Sequence, residues 1–478
     1  MKKPSRGLAW GCALLALFLF GTGAASRAAQ KAPAQPTYAP PAKLSVAEAV
    51  AAALGENAGL KQAEESRLSS LSRLRIAGLN TTFGAGGYTG VERSFGDSTV
   101  SANLGGDLTY KNLSGTEASV NLSPFGLGNL RSSMNLSLRS PLMRGKGRLS
   151  DKSNLVLGAR SDASVQDKEL YLTRQSTALG VVEAYYQAVL ERERVKVRER
   201  ALAIAREVAD GARKRADAGL VAEIEVSRAE LRVARTRDEL NLQNQAARGA
   251  MDRLMLAIGA GVGHGPELTD AISDAGVEAP GLGDAVKTAL SNRGELGISD
   301  EQLSEKAREL AMAKDRLRPG LDVVAGYNSA GDFGGLTAGS IFGESDARMG
   351  LDLVFPLDKR VTKEERDTAS RQLNVLHTVR NFQMEQIAEQ VRRAYRSLEA
   401  ARASLEILDQ NSKVAEENLG LAQRMVDEGL VSNRETLEAQ ESLTEVESGL
   451  LAAKTNVYLA NLSLRYAMGE DITAVVSK

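Results

Sequence analysis

The sequence has few of the residues that carry chemistry in enzymes or form disulfides in secreted proteins. Its 478 residues include a single cysteine, Cys12, and two histidines, His264 and His377. A single cysteine excludes a disulfide within the chain, and neither histidine stands in a catalytic or metal-binding pattern. No nucleophile elbow, phosphate-binding loop or metal-ligand spacing is present. The sequence therefore predicts no enzyme, no catalytic residue, no cofactor and no metal site.

An excess of charge of one sign is also lacking. Lysine and arginine number 60, aspartate and glutamate number 61, and the formal net charge is −1. Without a basic face the chain has no electrostatic footprint for nucleic acid, so no nucleic-acid partner is predicted. Beyond the N-terminus no apolar run approaches the ~18 residues of a transmembrane helix, and no such helix is predicted.

The N-terminus has the three parts of a secretory signal. A short basic segment precedes an apolar stretch at residues 8–20, and small residues follow at 23–25. We predict a signal peptide over residues 1–25, with cleavage after Ala25 or, alternatively, after Ala29. An exported chain without a membrane helix is periplasmic, secreted or an outer-membrane β-barrel.

A proline-free helical run, Asp151–Ala218, ends in a tight turn and is followed by another helix. At an offset of 210 residues this hairpin recurs without a gap, and Gly219-Leu220-Val221 becomes Gly429-Leu430-Val431. Ungapped similarity over a whole hairpin indicates an internal duplication. The openings Glu48-Ala49-Val50 and Asp284-Ala285-Val286 extend it to the start of each half. Thr362 with Glu365 predicts a capping box where the second long helix begins.

Alternation of apolar and polar residues predicts strands with one apolar face in two windows, 79–142 and 319–357. Six of the seven phenylalanines outside the signal lie there. This concentration is typical of the aromatic girdles of membrane barrels, although an ordinary soluble sheet is an alternative. Alternation assigns the side chains to lipid (Leu136, Leu138, Leu351 and Leu353) or to the lumen (Arg139, Arg348 and Asp352).

The strand region of the first repeat is longer than that of the second by 21 residues. The surplus, at residues 98–124, predicts an extra hairpin outside the membrane, which leaves four membrane strands per chain. The smallest membrane barrels need about eight strands, and open sheet edges are not viable in lipid. We therefore expect an oligomer whose subunits together close a barrel and a helical tube. Strand counting leaves a dimer and a trimer open.

These patterns divide the chain into ten segments, and the two repeats share one order of short helices, strands and long hairpin. The segments are a signal peptide (1–25), a Pro/Ala-rich N-terminal leader (26–43), the short helices of repeat 1 (44–78), its β-barrel strands with an extracellular hairpin (79–142), its long helical hairpin with a tip at 219–221 (143–259), a linker (260–281), the short helices of repeat 2 (282–318), its β-barrel strands (319–357), its long helical hairpin with a tip at 429–431 (358–469) and a C-terminal tail (470–478).

From Leu44 to Glu470 the chain resembles the TolC-like outer-membrane efflux family. The resemblance rests on the two repeats, their Gly-Leu-Val turns and openings, and the paired strand ends Leu136-x-Leu138-x-x-Pro141-Leu142 and Leu351-x-Leu353-x-x-Pro356-Leu357. It implies a mainly α fold with a β-barrel part. Three chains would form a helical tunnel across the periplasm and a 12-stranded antiparallel membrane β-barrel, with four strands per chain.

The resemblance implies a function as the outer-membrane exit duct of a tripartite efflux or type I secretion system. Its partners would be two further copies of the chain, outer-membrane lipid, a periplasmic adaptor (membrane fusion) protein and an inner-membrane pump. Drug efflux, metal efflux and protein secretion stay open. The alternative from another class is a periplasmic coiled-coil structural or adhesin-type protein, which would explain the helices but not the strands.

The two turns are the predicted adaptor-contact tips. Small and apolar residues stand on both, at Gly219, Leu220 and Val221 and at Gly429, Leu430 and Val431. Exposed apolar side chains on a tight turn are unusual unless a partner covers them. A helix-ending glycine with an apolar contact beside it is the simpler interpretation of the glycines themselves. The residues that distinguish an adaptor contact from a simple helix end are therefore Leu220 and Leu430.

The resemblance also implies a gate near the tips. Family members narrow the tunnel with acidic side chains six and nine residues after the second turn glycine, where this chain has Glu435 and Glu438. A spacing of three places both on one helix face, and copies around one axis would attract cations. Glu225 matches the acid of the family's closing ion pair, whereas Val431 occupies the basic position and Arg434 lies three residues later. A solvated outer helix face is the alternative interpretation.

Overall fold

The computed structural model describes residues 41–80, 83–93, 100–127, 131–219, 221–261, 265–271, 280–332, 344–428, 430–431 and 433–476. The predicted signal peptide and most of the leader lie outside the described residues, and so do Leu220 and Gly429 of the two turns. Across these ranges no helix combines the length and the apolar character needed to cross a membrane.

Within these ranges the chain is mainly helical. The helices are α1 (Val46–Glu56), α2 (Ala58–Leu79), α3 (Asp151–Asp217), α4 (Glu223–Ile258), α5 (Leu282–Asn292), α6 (Gly294–Asp315), α7 (Arg360–Asp427), α8 (Asn433–Ala467) and α9 (Ile472–Val476). The strands are β1 (Lys43–Leu44), β2 (Phe83–Arg93), β3 (Val100–Lys111), β4 (Glu117–Leu127), β5 (Arg131–Pro141), β6 (Glu267–Leu268), β7 (Gly320–Asp332) and β8 (Glu344–Val354).

The two long helices, α3 and α7, have 67 and 68 residues, and each begins at a different kind of cap. The Ser150 hydroxyl caps α3 by accepting a hydrogen bond from the Ser153 N–H at 3.1 Å. The predicted capping box of Thr362 with Glu365 is wrong, because α7 already begins at Arg360. There the Asp358 carboxylate accepts a hydrogen bond from the Arg360 N–H at 3.0 Å, so the acid preceding the helix satisfies an otherwise unpaired donor.

In each repeat the shorter hairpin helix (α4 or α8) ends beside the start of a 22-residue helix (α2 or α6). The Asn57 side chain caps α2 and donates to the Ala257 carbonyl at 3.0 Å, near the end of α4. Gly259 ends α4 with φ of +88°, and a Cβ there would stand 2.7 Å from the Glu56 carbonyl oxygen. Gly469 has the same role after α8, with φ of +75° and a Cβ position 3.1 Å from the backbone between α5 and α6. Only glycine allows the two backbones to approach so closely. In both repeats, two helices that meet at such a glycine form a second helical column beside the long helix.

A buried tyrosine ties the start of the described chain to the middle of α3. Tyr185 is fully buried, and its hydroxyl donates to the Leu44 carbonyl at 2.9 Å and accepts from the Asp270 N–H at 3.2 Å. β1 and β6 pair in parallel beside it. The end of the leader and part of the linker are thereby fixed on one helix.

The remaining strands form one antiparallel sheet in the order β2-β3-β4-β5-β7-β8. The antiparallel sheet agrees with the predicted fold class, but the sheet has six strands per chain rather than four. The sequence predicts a hairpin outside the membrane at residues 98–124, and in the structure these residues supply β3 and most of β4 of this sheet. These two strands have 12 and 11 residues, as long as their neighbours. β3 pairs with β2 over the whole of β2, and β4 pairs with β5 from Glu117↔Arg139 to Ser123↔Ser133.

The sheet has one apolar and one polar side across its full width. Residues opposite one another in antiparallel strands point to the same side. An apolar row crosses all six strands at Phe83, Tyr110, Ala118, Leu138, Ala325 and Met349. On the other side a row of glycine and polar residues crosses them at Gly86, Asp107, Asn121, Asn135, Asn328 and Asp346.

The residues expected to face lipid and those expected to face the lumen lie on opposite sides of the sheet. Leu136 and Leu351 share the side of the apolar row, and Leu138 and Leu353 do so as well. Arg139, Arg348 and Asp352 lie on the polar side. The sequence did not indicate a partner for Arg139, whose Nε donates to the Asp322 carboxylate across the β5–β7 pair at 2.7 Å.

A lysine on the apolar side should destabilise the folded protein more than one on the polar side. We expect Leu136→Lys and Leu351→Lys each to cost ~2–4 kcal/mol if the site lies near the bilayer midplane, and less toward either interface. Asn135→Lys, next to Leu136 but on the polar side, is the matched control. Urea titration in lipid vesicles measures the free energies of unfolding, and equal losses for Leu136→Lys and Asn135→Lys would contradict the assignment of sides.

Candidate gate and tips

The tips are tight turns closed by backbone hydrogen bonds. In the first, Gly219 adopts φ of +73° and its N–H donates to the Ala216 carbonyl at 2.8 Å. In the second, the Leu430 N–H donates to the Met425 carbonyl at 2.8 Å. A residue in the left-handed region just after a helix is a common way to satisfy its last carbonyls. The simple structural interpretation of Gly219 therefore holds, independent of any partner.

The second tip exposes apolar side chains. Leu430 is 67% exposed, and Leu421 and Met425 in the last turns of α7 are exposed as well. Val221 and Val431 are half-buried. The first turn of α4 adds an exposed Ile224 that sequence reasoning missed. Its signal was one apolar residue between two glutamates directly after the turn, which is an unusual composition for the solvated start of a helix.

The candidate gate residues lie in the first turns of the two helices that leave the tips. Glu435 and Glu438 stand on α8, both exposed, and Glu225 stands on α4. Arg434 Nε donates to Glu438 Oε1 at 2.7 Å, and this hydrogen bond raises the pKa of the Arg434 guanidinium. Glu225 accepts a hydrogen bond from Arg228 Nη1, also at 2.7 Å.

These ion pairs alter the electrostatics expected from the sequence. Arg434, Glu435 and Glu438 together carry one negative charge per chain rather than two. The sequence suggested that Arg434 could replace the basic residue that the family's closing pair has at the position of Val431. In the structure, Arg434 pairs with Glu438 on its own helix. In the described part of the chain, no group of three or more His, Cys, Asp or Glu residues is arranged to hold a metal ion.

Two further ion pairs, which sequence reasoning missed, join the two hairpins. Arg232 on α4 lies 3.0 Å from Glu441 on α8, and Arg200 on α3 lies 3.3 Å from Glu447 on α8. The side chain of Arg232 is only 19% exposed. The sequence offered one signal for the Arg232–Glu441 pair: Arg232 lies 13 residues after Gly219, and Glu441 lies 12 residues after Gly429, so both lie at a similar distance from a tip. The proximity of α4 and α8 is tertiary, so that signal alone could not pair them.

A buried polar column runs along α8 close to the tip. Thr436, Gln440 and Thr444 stand four residues apart, and all three are buried. Thr444 Oγ1 donates to the Gln440 carbonyl at 2.8 Å, whereas Thr436 Oγ1 and Gln440 Oε1 have no hydrogen-bond partner among the described residues. Unsatisfied buried polar atoms cost stability. In the single chain, this part of α8 therefore packs through polar side chains, two atoms of which lack a hydrogen-bond partner among the described residues.

A protein-family model matches both repeats of the chain. The family model described as outer membrane efflux protein matches residues 103–260 and 285–470, which is more than half of the chain. The two matched segments correspond to the two repeats. No curated protein sequence matches the chain significantly.

Solved structures of outer-membrane channels have the same fold. The CusC structure matches with a TM-score of 0.71 and 15% identity, over 89% of this chain and 92% of CusC. VceC from Vibrio cholerae matches with 0.67 and 16%, over 89% and 96%. The open state of the Neisseria gonorrhoeae channel MtrE matches with 0.68 and 15%, over 89% of each chain.

These matches confirm the predicted resemblance and the predicted location, in the outer membrane with a helical tunnel in the periplasm. The family and the structural neighbours are channels rather than enzymes. The chain belongs to the outer membrane efflux protein family.

Proposed function

We propose that three copies of this chain form the outer-membrane exit duct of a tripartite efflux or type I secretion system. The duct receives substrates from an inner-membrane pump and a periplasmic adaptor protein and releases them outside the cell. The observation that carries the proposal is the family match over both repeats, together with a two-sided sheet whose apolar side is exposed in the single chain. A periplasmic coiled-coil or adhesin-type protein has no need of such a sheet.

The edges of the sheet support assembly from several copies. β2 and β8 each have only one partner strand within the described chain, and they run in opposite directions. β8 of one copy can therefore pair antiparallel with β2 of the next, and repetition around an axis closes the sheet. Closure removes every edge, which the lipid environment requires.

Helix α7 supports the same assembly. Val375, Val379 and Phe382 stand three and four residues apart, and all are at least half exposed in the single chain. An apolar stripe at this spacing lies on one helix face and typically packs against another element. In the proposed trimer, a neighbouring copy covers this stripe and continues the helical tunnel.

The gate glutamates should control the passage of ions through the closed duct. Glu435→Ala with Glu438→Ala removes two acidic side chains beside Arg434 and changes the summed charge of these three positions from −1 to +1. We expect the preference for cations to disappear, and the trivalent-cation concentration for half block to rise about tenfold, because the field at the constriction changes sign. Planar-bilayer recording measures both. Glu385→Ala with Glu399→Ala, two exposed glutamates in the middle of α7, is the control, and unchanged selectivity in the gate variant would contradict the assignment.

The Arg232–Glu441 pair should help to hold the tips closed. Arg232→Ala or Glu441→Ala removes an ion pair with one mostly buried partner, so we expect more frequent opening and a higher mean conductance. Bilayer recording measures both quantities. The charge swap Arg232→Glu with Glu441→Arg is the control, because it rebuilds an ion pair of opposite polarity. Equal conductance in the single variants and the native protein would show that the pair does not close the duct.

The two tip leucines should carry the adaptor contact. Leu220→Asp with Leu430→Asp places charges where an apolar partner surface would lie, and we expect cross-linking to the adaptor to be lost while trimers persist. Leu242→Asp is the matched control, since Leu242 is 60% exposed on α4 away from the tip. Site-specific cross-linking in whole cells measures the contact, and native yields from the double variant would exclude the tips as the adaptor site.

A further inference from the structure

The hairpin of β3 and β4 is built as part of the sheet. The apolar row continues through it at Tyr110 and Ala118, and a second apolar pair follows at Leu108 and Val120. The polar row continues through it at Asp107 and Asn121. A hairpin outside the membrane would have no reason to keep one side apolar in register with the neighbouring strands.

The turn of this hairpin is fixed at the helical end of the sheet. The Leu113 carbonyl accepts a hydrogen bond from the Ser150 hydroxyl at 2.6 Å, and the Ser114 carbonyl accepts one from the Gly147 N–H at 3.1 Å. Ser150 is the residue that caps α3, so a single side chain holds both the turn and the start of the long helix. Gly115 has φ of +89°, and a Cβ there would stand 2.7 Å from the Gly145 carbonyl oxygen.

Across the sheet, Thr116 Oγ1 lies 2.9 Å from the Ser140 hydroxyl near the end of β5. The turn is thus bonded to the strand and to the helix that follow it. The hairpin therefore lies between β2 and β5, with β3 paired to β2 from Val100 to Tyr110 and β4 paired to β5 from Glu117 to Ser123. This leaves no position for it on the outer surface of the sheet.

From this geometry we infer that the membrane barrel has eighteen strands, six from each of three copies, instead of the twelve that the resemblance implies. The inference rests on the proposed trimer. Barrel diameter grows roughly linearly with strand number, so this barrel is ~1.5 times as wide as one of twelve strands. With six strands per chain, an even number, every junction between copies stays antiparallel.

The added strands make the wider lumen hydrophilic. Their polar side contributes Asp107, Thr109 and Lys111 from β3 and Glu117, Ser119 and Asn121 from β4. Hydrated solutes of larger cross-section therefore fit the membrane part of the duct. Selection by size then falls to the helical end, where the tips lie, and not to the barrel.

Cysteine accessibility tests the position of the hairpin. Because Cys12 lies in the predicted signal peptide, an introduced cysteine is the only thiol of the mature chain. In vesicles, Leu108→Cys and Val120→Cys should resist a membrane-impermeant maleimide as well as Leu136→Cys does, whereas Thr109→Cys should be labelled. Labelling of Leu108→Cys and Val120→Cys with protection of Leu136→Cys overturns the eighteen-strand barrel alone. Labelling of Leu136→Cys as well overturns the barrel of the proposed function.

Disulfide formation tests which strand lies beside β2. Ala85 is opposite Leu108 on β3, and Leu136 on β5 lies three strand spacings from Ala85, ~14 Å away. Oxidation should join Ala85→Cys to Leu108→Cys and fail to join Ala85→Cys to Leu136→Cys. The opposite result overturns the inference, because β2 would then pair directly with β5. Electron cryo-microscopy of the native assembly should resolve eighteen strands, and twelve would also overturn it.

Discussion

Backbone hydrogen bonding in lipid is the constraint on which this architecture depends. Among the described residues, five antiparallel pairs join the strands of the large sheet, and β2 and β8 are its two edge strands. Those edges cannot remain open in hydrocarbon, where each unpaired group costs several kcal/mol. Membrane insertion and assembly are therefore coupled, because a single chain has no stable membrane form. The exposed apolar stripe on α7 places the same requirement on the helical part.

The internal duplication solves a problem of length. A helix of 67 residues reaches ~100 Å, and a second column must match it for the hairpin to pack along its whole length. Each repeat completes that column from two helices, and the joint needs a residue without a side chain. Gly259 and Gly469 stand at the two joints with their chains turned into the left-handed region. The repeat in the sequence thus corresponds to a repeated joint in the structure.

Sequence patterns predicted what depends on neighbours along the chain and missed what depends on neighbours in space. Alternation correctly assigned Leu136 and Arg139 to opposite sides of a strand, and the turn glycine marked the end of α3 within a residue or two. Alternation cannot say which strand lies beside which, so it did not predict that β3 and β4 lie between β2 and β5 in the sheet. The ion pair of Arg232 with Glu441 was missed for the same reason, since it joins helices of different repeats.

The distribution of packing along the tunnel favours movement at the tips. Where α5 and α6 meet the long hairpin of the second repeat, nine of the described residues form a buried core that includes Val391 and Leu464. Toward the tip, a second core contains three of the described residues, Ala415, Leu419 and Leu443. In that region the α8 contacts are partly polar and include unsatisfied atoms, and charged pairs join the hairpins. Local opening begins where few apolar contacts are lost. The same gradient places the larger core beside the joint of the second repeat, so an opening at the tips need not disturb that end of the helices.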